Sequence, residues 1–138
     1  MPKGIFHAVV LTDDLDGSIR FLHDVSGIDP VRRYSPEPEQ LAAAFGWSTD
    51  SRTQAAIVGE GPGMMEIIEI PETLRGEVVP GVSLLAVATG DVHKRVEAAR
   101  TAGFDPEPTR TAVGPDGMSI TVAPVRVGGV GYEFVRFS

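Results

Sequence analysis

The sequence repeats itself once, and that feature constrains the fold more than any other. Phe6–Leu22 (FHAVVLTDDLDGSIRFL) lies over Ser83–Ala99 (SLLAVATGDVHKRVEAA) at an offset of 77 residues. Thr12 falls on Thr89, Asp14 on Asp91, Leu15 on Val92 and Ile19 on Val96. Each copy is an apolar run, an Asp-containing turn and a helical pattern that stops at a glycine, Gly27 or Gly103. A second pair of segments, Gly63–Ile70 (GMMEIIEI) and Val130–Phe137 (VGYEFVRF), matches at an offset of 67. There Glu66 falls on Glu133, Ile68 on Val135 and Ile70 on Phe137. Two copies at so long a period do not make a solenoid. The expectation is a duplicated module closed on itself.

The elements follow from local chemistry. Ile5–Leu11 is short, apolar and β-branched, so it reads as a strand. Asp14 or Asp16 can cap the next helix, whose face carries Leu15, Ile19 and Leu22. Val31–Tyr34 is a short strand, and EPEQLAAAFGW, opened by prolines, is a short extra helix. Thr53–Val58 and Met64–Ile70 are strands joined through the glycines of 59–63, a hairpin signal. In the second copy Val82–Ala88 is a strand, and Asp91 caps a helix carrying Val92, Val96 and Ala99. Phe104–Arg110 is weakly strand-like, because Pro106 and Pro108 limit its pairing. VGPDGM is a turn. Met118–Val127, interrupted at Pro124, and Tyr132–Phe137 finish as strands. The order is β-α-β-(α)-β-β and then β-α-β-β-β. We expect an α+β fold, with a single domain over residues 1–138 made of one module at about 4–70, a linker at 71–80 and a second module at about 81–137.

Composition narrows the function classes. A chain of 138 residues can bury a sizeable core without staples. There is no cysteine, which removes disulfides and thiolate chemistry. No apolar run nears the roughly 18 residues that span a bilayer, and no signal peptide is visible after Met-Pro-Lys-Gly, so no membrane partner and a cytoplasmic location are expected. Net charge is −7 with no basic stripe, which argues against a nucleic-acid partner.

The order of these segments resembles the vicinal oxygen chelate superfamily of glyoxalases, bleomycin-resistance proteins and extradiol dioxygenases. FHAVVLTDDLDGSIRFLHDVSGIDPVRRY looks like that family's opening strand and helix, and GMMEIIEIP like its fourth strand. GVSLLAVATGDVHKRVEAARTAGFDP looks like its fifth strand and second helix, and GYEFVRF like its last strand. The resemblance implies two tandem βαβββ modules forming a half-barrel cup. It also implies a divalent metal held by one ligand on the first strand and one on the last strand of each module. Carried over, those positions are His7, Glu66, Leu84 and Glu133. Three can bind a metal, while the family often has His where this chain has Leu84. One His and two carboxylates would suit Mn, Fe, Co, Ni or Mg. The same three could also serve as a metal-free set, since paired carboxylates push one pKa up and leave a proton carrier.

Strand alternation extends this list. If His7 faces inward, so do Val9 and Leu11; Glu66 brings Ile68 and Ile70, and Glu133 brings Val135 and Phe137. Leu84 and Phe137 are therefore expected around a ligand pocket, and the resemblance implies Trp47 with them, since family members often line the pocket from the region after the extra helix. By residue type alone, Trp47 suits a core or dimer-interface position better. His23 and His93 are expected on solvated helix faces. Two functions remain open. One is an isomerase, epimerase or lyase that works on a small organic metabolite through an enolate, with Glu133 or Glu66 moving the proton. The other is a non-catalytic protein that sequesters a small molecule, as the bleomycin-resistance branch does. Extradiol dioxygenation fits less well, since its two-His, one-carboxylate iron site would need a His at Leu84. Small members of the family commonly pair modules across subunits, so a homodimer is expected.

Overall fold

The computed structural model describes residues 5–61, 63–113 and 117–138. Among the described residues, eight strands form one mixed sheet: β1 (Ile5–Thr12), β2 (Pro30–Tyr34), β3 (Ala55–Val58), β4 (Met65–Glu69), β5 (Gly81–Ala88), β6 (Arg110–Val113), β7 (Ser119–Val127) and β8 (Val130–Phe137). The helices are α1 (Leu15–Arg20), continued by a π turn over Phe21–Val25, then α2 (Pro38–Phe45) and α3 (Val92–Thr101). Strand order across the sheet is β2-β3-β4-β1-β5-β8-β7-β6. Read outward from the β1–β5 seam, each half runs first, fourth, third, second strand. Within each half the first and last strands pair in parallel, and the seam itself is antiparallel.

The repeated turn has a repeated structure. Asp14 N–H donates to Thr12 Oγ1 at 3.0 Å, and Asp91 N–H donates to Thr89 Oγ1 at 3.2 Å. Asp14 then accepts from Gly17 N–H, and Asp91 from Lys94 N–H, so each aspartate satisfies a free donor at its helix start. Of the two candidate caps for α1, Asp14 fills the role.

The helices divide between the faces of the sheet. Leu15 of α1 packs with Ala56, Val58 and Ile67 on the outer face of the first half. Val92 and Val96 of α3 pack with Ala123 on the outer face of the second. The inner face is covered by α2. Its Leu41 packs among Val9, Leu11, Ile68, Ile70 and Leu84, while its Ala43 packs among Ala86, Ala112, Val122 and Val135. One short helix of the first half thus bridges the concave faces of both. Arg110 of β6 fastens the far end, donating to the carbonyls of Ala42 and Ala43 at 3.4 and 3.1 Å. Gly46, at φ 72°, ends α2 in the left-handed conformation that favours glycine.

Some strand expectations are revised. β7 runs unbroken through Pro124. β6 covers only Ser119–Val122 of it, so at Pro124 no strand pairs on that side and its missing N–H removes no ladder bond. Pro124 still accepts a bond from Glu107 N–H at 2.8 Å. The segment 104–109 is irregular, and strand pairing starts only at Arg110, beyond both prolines. The strand expected from Thr53 begins at Ala55. The centre of the VGPDGM turn, residues 114–116, and residue 62 of the expected hairpin lie outside the described residues. Among the described residues, no helix is long and apolar enough to cross a membrane.

The second half has one very close strand approach. A Cβ on Gly131 would stand 2.7 Å from the Ser83 carbonyl oxygen and 3.1 Å from Leu84 Cδ2. Gly131→Ala should therefore push β8 from β5 and destabilise the fold by about 1–3 kcal/mol, the usual cost of overpacking. Urea denaturation of the two proteins checks this.

Candidate active site

Alternation and pairing together put the polar candidates in the central rows of the inner face. β1 and β4 align Val9 with Glu66; β1 and β5 align His7 with Ala86 and Val9 with Leu84; β5 and β8 align Ala86 with Glu133. His7, Glu66 and Glu133 line one cavity of about 100 Å³ between the sheet and α2. Leu84 and Phe137 also line it, as do Tyr34, Gln40 and Leu41. It is small beside the roughly 300–1,000 Å³ of pockets for drug-sized ligands. Trp47 does not line it. Its ring stacks on Phe45, centroids 4.6 Å apart, and borders a neighbouring groove of about 240 Å³ that shares Leu84, Ala44 and Phe45 with the cavity.

The polar side chains of the cavity sit in different surroundings. Glu133 is buried, at 6% exposure. Burial, then the Glu66 carboxylate, raises its pKa from 4.5 to about 8, with Arg110 pulling the other way and Glu107 adding to the rise. Glu133 therefore holds a proton at neutral pH. Glu66 accepts the Tyr34 hydroxyl at 2.6 Å. Burial, the Glu66 charge and that bond all push the Tyr34 phenol upward, so it remains a donor. Burial holds His7 below 6.5 against the Glu66 charge, which makes it a neutral imidazole at pH 7. Two buried atoms, His7 Nδ1 and Glu133 Oε2, have no hydrogen-bond partner among the described residues. Burying polar atoms unpaired costs about 1–3 kcal/mol each.

A resident metal fits this arrangement poorly. Among the described residues, no three His, Cys, Asp or Glu side chains come together closely enough to hold an ion. One Glu66 oxygen is engaged by Tyr34, and the fourth family position is the buried Leu84. His7, Glu66 and Glu133 thus share a cavity without forming a coordination sphere. His93 is exposed, and the half-exposed His23 pairs with Asp24 at 2.8 Å and Asp29 at 3.3 Å. Glu69, on the opposite face from Glu66, accepts from Leu15 N–H at 3.1 Å and so steadies the start of α1.

Sequence reasoning missed Tyr34, Gln40 and Arg110. For Tyr34 the signal lies in the register. It pairs with Ala55, which pairs with Ile68, so Tyr34 lies in an inward row. Nothing local marks Arg110, whose role depends on a helix more than 60 residues away.

The family model described as the glyoxalase/bleomycin resistance protein/dioxygenase superfamily matches residues 4–133. No curated protein matches this sequence. Solved structures share the fold at low identity. A hypothetical protein from Bacillus halodurans C-125 is 13% identical with a TM-score of 0.70, over 98% of this chain and 94% of that one. Methylmalonyl-CoA epimerase from Mycobacterium tuberculosis is 20% identical with a TM-score of 0.63, over 96% and 86%. A point variant of methylmalonyl-CoA epimerase from Streptomyces coelicolor, in complex with 2-nitronate-propionyl-CoA, is 17% identical with a TM-score of 0.64, over 98% and 94%.

Proposed function

The chain belongs to the glyoxalase/bleomycin resistance protein/dioxygenase superfamily, and from that premise we propose that it is an epimerase or isomerase of a small carbonyl compound. The observation that carries this reading is the pair of carboxyl groups in one apolar cavity, with Glu133 protonated and Glu66 an acceptor. A buried carboxyl that keeps its proton beside a second carboxyl that accepts a hydrogen bond suits acid–base chemistry.

In this reading the substrate carbonyl lies against His7. Glu66 takes the proton from the carbon next to the carbonyl, and the electron pair moves onto oxygen as an enolate. The neutral His7 ring donates its N–H to that oxygen. Glu133 returns its own proton to the carbon, so Glu66 ends protonated, Glu133 ends ionised, and the substrate keeps its composition. Delivery to the other face inverts the centre, while delivery to a different carbon isomerises the compound. The resemblance to methylmalonyl-CoA epimerases supports a reaction of this type. No step needs a divalent metal, which agrees with the donor geometry.

The partner in this reading is a small molecule. A second copy of the chain, expected from the sequence, would find its surface in the groove lined by Val79, Val82 and Val130, all exposed.

Proton NMR in deuterated buffer tests the reaction directly. With 2-methylacyl thioesters, the protein should speed deuterium incorporation at the carbon beside the carbonyl, and should do so with chelator present. A thioester that binds but keeps its proton would overturn the enzymatic reading and leave sequestration.

A further inference from the structure

Resting on that reading, we propose that the cup selects an uncharged carbonyl compound and rejects one with a carboxylate attached to the reacting carbon. The inference comes from the charges that reach the cavity. Among the described residues, neither Lys nor Arg lines it. The polar groups that do are His7, Tyr34, Gln40, Glu66 and Glu133. Tyr34 spends its only proton on Glu66. Gln40 turns its carbonyl oxygen to Glu37 N–H at 3.1 Å. The cation nearest in function, Arg110, is committed to the carbonyls of Ala42 and Ala43, and its other nitrogen lies 3.9 Å from Glu107. A carboxylate entering the cavity would face the Glu66 charge with no Lys or Arg side chain against it, and Arg110, outside the lining, acts on Glu133 less than Glu66 does.

The walls agree. Val9, Leu41, Ile68, Leu84, Val122 and Val135 surround the polar centre and match an alkyl substituent. A volume of about 100 Å³ admits a short acyl group and leaves the rest of the substrate outside. Two like charges roughly 6 Å apart at an effective dielectric near 20 repel enough to weaken binding about 100-fold.

Two thioesters of N-acetylcysteamine separate charge from shape: 2-methylbutanoyl and methylmalonyl, which differ by an ethyl group in place of a carboxylate. Ligand-observed NMR titration should give binding of the first about 100-fold tighter than the second. In Glu66→Gln the gap should shrink at least about tenfold, whereas Glu133→Gln, which keeps the Glu66 charge, should retain it. Circular dichroism establishes that each variant is folded, and the wild-type comparison stands without them. Equal binding, preference for the carboxylate, or no binding of either compound would overturn the proposal. If the neutral thioester binds as expected while its α-proton fails to exchange, the reaction above falls and the charge selectivity stands.

Discussion

Replacing Glu133 with glutamine should make the protein more stable at pH 8.5 by an amount on the order of 4 kcal/mol, with little change at pH 4.5. The carboxyl titrates near 8 in the folded chain against 4.5 ordinarily. Below 4.5 both folded and unfolded chains hold the proton, and the amide matches the neutral acid in size. As pH rises from 4.5 towards 8, the unfolded chain releases the proton and the folded chain does not. Each pH unit in that window then costs the folded state about 1.4 kcal/mol. Above 8 both states are ionised, and the deficit stays constant. His7 works in the opposite sense: its folded pKa is lowered, so its contribution is lost as pH falls below 6.5. That term is common to both proteins, and their difference isolates Glu133. Urea denaturation at pH 4.5, 6.5 and 8.5 reads the effect. A difference that does not change with pH would show that Glu133 is an ordinary ionised carboxylate, and would remove it as a neutral acid.

The second large effect falls on the reaction. Glu66→Gln and Glu133→Gln should each slow α-proton exchange by about 10²–10⁴-fold, the usual contribution of a positioned acid or base. An amide keeps the volume of either side chain and part of its hydrogen bonding, so the loss reports on the proton. The double variant should be little slower than either single one, because an acid without its base cannot complete the cycle. The wild-type rate should also fall as pH rises through about 8, where Glu133 loses its proton. Exchange rates measured by NMR from pH 6 to 9.5 check both statements. Full activity in either single variant would mean that the carboxyl in question touches no transferred proton.

Much of the fold was legible because it rests on short-range rules. Alternation places Val9, Ile68, Leu84 and Val135 inward, and the sheet has them there. The internal repeat pairs Asp14 with Asp91, and both cap their helices. It also pairs Glu66 with Glu133, which line one cavity. The two do not share an electrical environment, since Tyr34 meets one and apolar walls enclose the other. That asymmetry comes from contacts between distant elements, which a repeat cannot encode. The same holds for α2. Its sequence announces a helix, but its position across both halves depends on Arg110 and on the small residues Ala86 and Ala112 opposite Ala43. Pro124 misled as a local signal, because proline's effect in a strand depends on which neighbour is present.

The place of β1 in the sheet also sets the order in which the domain can be made. It is the first of the eight strands to be synthesised, yet both its neighbours, β4 at 65–69 and β5 at 81–88, come much later. At roughly 5–20 residues per second, a ribosome exposes this apolar strand for several seconds before its first partner exists. Pairings of this span close large loops, and they fold slowly for that reason. Glu133 arrives later still, on β8, and is buried only when that strand docks on β5. The candidate site thus waits for the last strand to be made, and no product that stops short of β8 contains all of it.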